Sequence, residues 1–152
     1  MLNVYDQLKK LNIKLPAASA PASAYVMSAQ VGKTIFLSGH IAQKNGKIWS
    51  GKLGDTISTE EGRWAARSIA IDLIATLHAH LDDLNRVQRI VKVMSLVNST
   101  PDFVEQHLVT NEASELFIAV FGERGKHARS AFGVTQIPLG ACMEIELIAI
   151  AE

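Results

Sequence analysis

Two segments in the second half of the chain limit its possible folds most. Residues 91–97, Val-Lys-Val-Met-Ser-Leu-Val, and 145–150, Ile-Glu-Leu-Ile-Ala-Ile, carry apolar residues at both odd and even positions. A strand sends alternate side chains to opposite faces, so both sides of these strands require cover. Two long amphipathic segments are available to supply it. The first opens at Ser58-Thr-Glu-Glu61, a capping box in which the serine hydroxyl and the glutamate carboxylate satisfy free backbone N–H groups. It runs to about Leu81, with Ala66, Ile69, Ala70, Leu73, Ile74, Leu77 and Leu81 on one stripe. The second opens at Thr100-Pro101-Asp102, where proline at the first helical position forfeits no bond and the aspartate suits the positive end of the dipole. Phe103, Leu108, Leu116, Phe117 and Val120 give it an apolar side, Thr110 to Glu115 interrupt it, and Gly122 stops it. Two helices cover one face of a sheet. The other face is expected to meet a second copy of the chain, giving a homo-oligomer.

The remaining elements follow from local signals. Val4, Leu8 and Leu11 mark a short N-terminal helix. Leu15 to Ala24, with two prolines among alanines and serines, joins it to the body without forming a continuous helix. Tyr25–Gln30 and Lys33–Ser38 read as strands around a Val31-Gly32 turn, and Asn45-Gly46 signals a type I′ turn. Arg89–Val97, Ala128–Gln136 and Cys142–Ala151 complete the strands, the last two joined by Ile-Pro-Leu-Gly. The order ββ-α-β-α-ββ places both helices on one face of a mixed sheet, an α+β architecture. At 152 residues the chain suits a single domain, with residues 1–20 as an N-terminal extension and 21–152 as the core.

Composition narrows the chemistry. Fifteen basic residues balance fifteen acidic ones, which gives no support to a phosphate-binding surface, so nucleic acid is not an expected partner. The single cysteine, Cys142, allows neither an internal disulfide nor a cysteine metal cluster and suits a reducing compartment. Neither a signal-peptide pattern nor an apolar stretch of about 18 residues is present, so the expectation is a cytoplasmic protein without a membrane partner. His78 and His80, two apart on a helix, point away from each other and are not a chelating pair. No metal or cofactor is expected. The notable polar residues lie near the C-terminus: Arg129 enters one strand, and Glu144 and Glu146 share a face of another. Spacing alone leaves two readings, a solvated strand face with a surface arginine, or an anion site. In the second, a guanidinium binds a carboxylate through paired hydrogen bonds while a nearby carboxyl positions water.

Four stretches carry a family likeness: Leu37-Ser-Gly-His-Ile41, Val97-Asn-Ser-Thr-Pro-Asp-Phe103, His127-Ala-Arg-Ser-Ala131 and Leu139-Gly-Ala-Cys-Met-Glu-Ile-Glu146. From about Tyr25 to the C-terminus the chain resembles the RidA/YjgF family, also named endoribonuclease L-PSP or translation inhibitor. It is most similar to a divergent branch with an extended N-terminus. The resemblance implies a chorismate-mutase-like fold of the bacillus type, a mixed sheet with two helices on one face. It also implies a trimeric barrel with ligand clefts between subunits. The implied activity is cofactor-free hydrolysis of reactive enamine and imine carboxylates, such as 2-aminoacrylate, to 2-keto acids and ammonia. Position by position, Arg129 matches the arginine that grips the substrate carboxylate and Glu144 the glutamate that holds the attacking water. Tyr25, Ser38, Gly39, His40, Asn111 and Ala131 match substrate-binding positions. His40 replaces a glutamine, Ala131 a cysteine and His127 a proline, while Glu146 is assigned to an interface ion pair. Two alternatives follow from the same likeness: a non-catalytic trimer that binds a small carboxylate metabolite, and an endoribonuclease or translation-inhibitor activity.

Overall fold

Alternating strands and turn glycines build a five-stranded mixed sheet in the computed structural model, which describes all 152 residues. β1 (Ser28–Val31) and β2 (Thr34–Ile41) form a hairpin through Gly32-Lys33, with Gly32 at φ +58°. β3 (Gln43–Lys44) and β4 (Lys47–Ile48) form a small separate hairpin. Its Asn45 and Gly46 have φ of +55° and +74°, the two left-handed positions that a type I′ turn requires. β5 (Val87–Asn98), β6 (Ala128–Val134) and β7 (Met143–Ala151) complete the main sheet, in the order β1-β2-β7-β5-β6. β5 and β6 run parallel, and every other pairing in this sheet is antiparallel.

α2 (Thr59–Leu81) and α3 (Gln106–Phe121) pack on one face, following α1 (Val4–Lys10) in chain order. The Ser58–Glu61 capping box starts α2 as its sequence predicts. Ile69, Leu73 and Phe117 meet Ile35, Ile90, Val93 and Ile145, all without solvent exposure. The opposite face carries Phe36 opposite Ile148, Met94 opposite Glu146, and Leu96 opposite Phe132. Phe36 and Phe132 remain 46% and 44% exposed, so this face is apolar and uncovered within one chain.

Five sequence expectations are corrected in detail. Helix α3 begins at Gln106, not at Thr100. Tertiary bonds hold Thr100-Pro101-Asp102 in a turn: Thr100 N–H donates to Leu53 C=O at 3.0 Å, and Phe103 N–H donates to Thr100 C=O at 3.2 Å. Thr110 does not interrupt α3, because its buried hydroxyl donates back to Gln106 C=O at 2.8 Å and lies 2.9 Å from Ser95 Oγ. Tyr25–Met27 stands outside β1, which starts at Ser28. Finally, β6 stops at Val134, two residues early, while β5 is longer at both ends than its sequence suggests.

The N-terminal extension docks firmly. Val4 and Leu8, 0% and 5% exposed, belong to the main core. Asn3 caps α1, Tyr5 Oη accepts from Leu84 N–H at 2.9 Å, and Arg124 donates to Leu2 C=O at 2.8 Å. No helix is long and apolar enough to cross a membrane.

Candidate functional site

The expected site residues fall into two groups, one on the edge strand β6 and one on the inner strands β2 and β7. At the β6 edge, Arg129, Ala131 and Gly133 alternate toward the helix side. Arg129 pairs in register with Val93, whose side chain lies in the helix-side core. Its Nη1 donates to Asn111 Oδ1 at 2.8 Å and to Ser114 Oγ at 3.3 Å. Asn111 and Ser114 sit three apart on α3, so one turn of helix presents both to the same guanidinium. Arg129 is half-buried, which explains why a guanidinium on this edge is held rather than left mobile.

His127 joins this group. Its Nδ1 lies 2.7 Å from Gly125 C=O and its Nε2 2.9 Å from Ser114 Oγ. A carbonyl only accepts, so Nδ1 carries the proton and, in the neutral ring, Nε2 accepts from the serine hydroxyl. Burial first, and then the Arg129 charge, hold the imidazole below its usual range, against the opposing pull of the Gly125 carbonyl. The ring also stands edge-on to Phe117 at 5.9 Å.

The second group lies at β2 and β7. Glu144 is half-buried, and its side chain lies across Gly39 so closely that a Cβ there would sit 2.9 Å from the carboxyl carbon and overlap an oxygen. Burial, then the neighbouring Glu146 charge, raise the proton affinity of Glu144. The β2–β7 register shifts between Leu37 and His40, which places Ser38 and Gly39 in a bulge beside the carboxyl. Ser38 hydroxyl donates to Val26 C=O at 2.6 Å, pinning the segment that carries Tyr25. His40 is 3% exposed. Its Nδ1 donates to Ser38 C=O and its Nε2 accepts from Thr76 hydroxyl, both at 2.7 Å, so neither nitrogen is left for a ligand. Burial lowers its proton affinity, which keeps this ring neutral. A cavity of about 320 Å³ is walled by Tyr25, Gly39, His40, Glu144 and Leu139. Ser19, Ala20 and Ala22 also face it, so the extension and the segment after it close one side.

Sequence reasoning did not assign Ser114 or Leu139 to the site and treated His127 only as a departure. The Asn111/Ser114 spacing was the available signal for the serine. Leu139 carried none, because its left-handed φ of +63° is set by the tight turn before β7. Within one chain the two groups do not meet. Glu144 and Glu146 share the uncovered face, with Glu144 opposite Leu96, whereas Arg129 faces the helices. β5 lies between β7 and β6, so the two residues are separated by about 10 Å of sheet as well as by its thickness. His78 and His80 do diverge: His78 lies 3.1 Å from Tyr5 Oη, whereas His80 meets Ser28 and Gln30.

Comparisons with known proteins agree with this fold. Residues 6–150 match the family described as "YjgF/chorismate_mutase-like, putative endoribonuclease". The chain is 44% identical to Protein TCP17 of Trypanosoma cruzi over 147 residues, covering 95% of this chain and 92% of that protein. Its fold superposes on the crystal structure of Atu1372 from Agrobacterium tumefaciens, a protein of unknown function, with a TM-score of 0.91 and 36% identity, covering 98% and 92% of the two chains. RidA from the Antarctic bacterium Psychrobacter sp. PAMC 21119 is similar at a TM-score of 0.57 and 26% identity, covering 88% and 93%. By its sequence, its sheet topology and these matches, the chain belongs to the YjgF/chorismate mutase-like family.

Proposed function

We propose that this protein hydrolyses small enamine and imine carboxylates to 2-keto acids and ammonia, at clefts formed where copies of the chain meet. The observation that carries this reading is the division of the site. A half-buried guanidinium on the edge strand β6 and a half-buried carboxyl on the central strand β7 sit on opposite faces of one sheet, each on its own scaffold. A head-to-tail contact between copies would bring the Arg129 edge of one against the Glu144 face of the next. Such contacts close into a ring when the rotation permits. The uncovered apolar face, with Phe36, Phe132 and Met94, offers the surface that a homotrimer would bury.

The chemistry asks little of the protein. An enamine such as 2-aminoacrylate tautomerises to the imine, whose C2 is electrophilic. Arg129 holds the carboxylate. Glu144, ionised, accepts a proton from a water as that water's oxygen bonds to C2. That proton passes to nitrogen, giving the carbinolamine. Glu144 then takes the hydroxyl proton and returns it to the amine as the C–N bond breaks and the C2–O double bond forms, so ammonia leaves and the 2-keto acid remains. Positioning is the main contribution, and it supplies several kcal/mol without a strong acid or base. The raised proton affinity of Glu144 makes it a better acceptor than a solvated carboxylate. The apolar cavity wall suits a short side chain on the substrate.

The test is release of ammonia and pyruvate from 2-aminoacrylate generated in situ. Turnover above the spontaneous rate supports the reading, and a rate equal to buffer across several enamines defeats it. The family description also keeps ribonuclease activity in view. Cleavage of RNA by wild-type protein, persisting in Arg129→Lys and Glu144→Gln variants, would assign the activity elsewhere on the surface.

A further inference from the structure

Arg129 presents three nitrogens, and the fold uses one of them. Nη1 has two hydrogens, and two acceptors take them, Asn111 Oδ1 at 2.8 Å and Ser114 Oγ at 3.3 Å. Nε and Nη2 donate to no protein group. These two nitrogens lie on one edge of the planar guanidinium, spaced for the two oxygens of a carboxylate. The grip therefore has a fixed side and a free side.

What fixes the first side extends beyond the arginine. A serine hydroxyl can turn either its hydrogen or its lone pairs toward a neighbour. If the hydrogen faced Arg129, two donors would oppose each other. The His127 ring settles the direction. Its Nδ1–H is committed to Gly125 C=O at 2.7 Å, which leaves Nε2 as an acceptor 2.9 Å from Ser114 Oγ. The hydroxyl hydrogen points to the imidazole, and the lone pairs point to Nη1. Phe117 stands edge-on to the ring and restrains its rotation. Four groups thus form a chain of hydrogen bonds with one consistent direction, from Arg129 through Ser114 and His127 to the Gly125 carbonyl.

We propose that Ser114 and His127 are positioning residues that orient the Ser114 lone pairs onto Arg129 Nη1, so that a ligand carboxylate is received on the Nε–Nη2 edge. The proposal rests on the reading of Arg129 as the carboxylate grip. The resemblance makes His127 notable, since it stands where that family has proline, which could make neither ring bond.

Calorimetric titration with pyruvate tests the chain, with unfolding midpoints measured on the same samples. Ser114→Ala and His127→Phe should each weaken binding roughly tenfold, because a disordered fork loses its preorganised charge-assisted bonds. The double variant should bind no more weakly than either single variant, since both act through one oxygen. Ser114→Thr, which keeps the hydroxyl, should return to within about twofold of wild type. Nitrogen NMR on the intact protein should find His127 as the neutral Nδ1–H tautomer. Wild-type affinity in Ser114→Ala, losses that multiply in the double variant, or an Nε2–H tautomer would each overturn the proposal. Pyruvate binding that is absent from wild type, or present and unchanged in Arg129→Lys, defeats the carboxylate reading itself, a different result from failure of the chain.

Discussion

The two halves of the candidate site hold their polar groups by different physics. On β2 and β7, Glu144 lies in a walled cavity against a glycine, near the buried His40–Thr76 pair. Burial is the dominant influence there, and it works on the proton affinity of the carboxyl. At the β6 edge, Arg129 keeps its charge whatever its surroundings, so burial has nothing to tune. Hydrogen bonds from α3 fix its direction instead. On the proposed reading, one half of the site adjusts reactivity and the other adjusts geometry. An acceptor for a proton needs a tuned pKa, whereas an anion grip needs orientation.

The sharpest way to break this comparison is to mix two disabled proteins. Arg129→Lys and Glu144→Gln should each lose roughly 100-fold or more in turnover, since lysine lacks the planar fork and the amide cannot take the proton. Co-assembled at equal ratio, they should recover about a quarter of wild-type activity, because one site in four draws both intact residues from different copies. A site contained within one chain would recover nothing on mixing. Gly39→Ala probes the walled half alone. Its methyl would overlap the Glu144 carboxyl and displace it, so turnover should fall roughly tenfold with little change in pyruvate affinity. An equal loss in both quantities would show that the two halves are not separable.

Thr76→Val leaves the buried Nε2 of His40 without a partner and should destabilise the fold by about 1–3 kcal/mol in denaturant unfolding. Ser114→Ala, at the more open edge, should change the same midpoint far less. The smallest expected effect is on pH. Glu144 must be ionised to accept a proton, so activity is lost as pH falls through its raised pKa. Glu146 contributes to that raise, after burial. Glu146→Gln should therefore move the acid limb of the kcat profile to lower pH. An unmoved or raised limb would remove Glu146 from the account.

Much of this was legible in the residues. The capping box at Ser58, the Asn45-Gly46 turn, the stop at Gly122 and the shared face of Glu144 and Glu146 depend on neighbours a few positions away. The start of α3 was not legible. Thr100-Pro101-Asp102 has good local credentials for a helix start, but its backbone is claimed by Leu53, more than forty residues distant. Thr110 likewise looks like a helix breaker until Ser95, on another element, meets its hydroxyl. His40 read as a cleft residue, and it does wall the cavity, but its nitrogens are occupied by Ser38 and Thr76.

The residues by themselves determined the periods, the turns and the one uncovered sheet face, because strand parity and helix pitch are properties of consecutive positions. Only the tertiary structure decided that Arg129 and Glu144 stand apart. β5 inserts between β6 and β7, and the register pairs Arg129 with a helix-side residue and Glu144 with one on the uncovered face. Strand order and register come from hydrogen bonds between distant segments, and no local pattern encodes them.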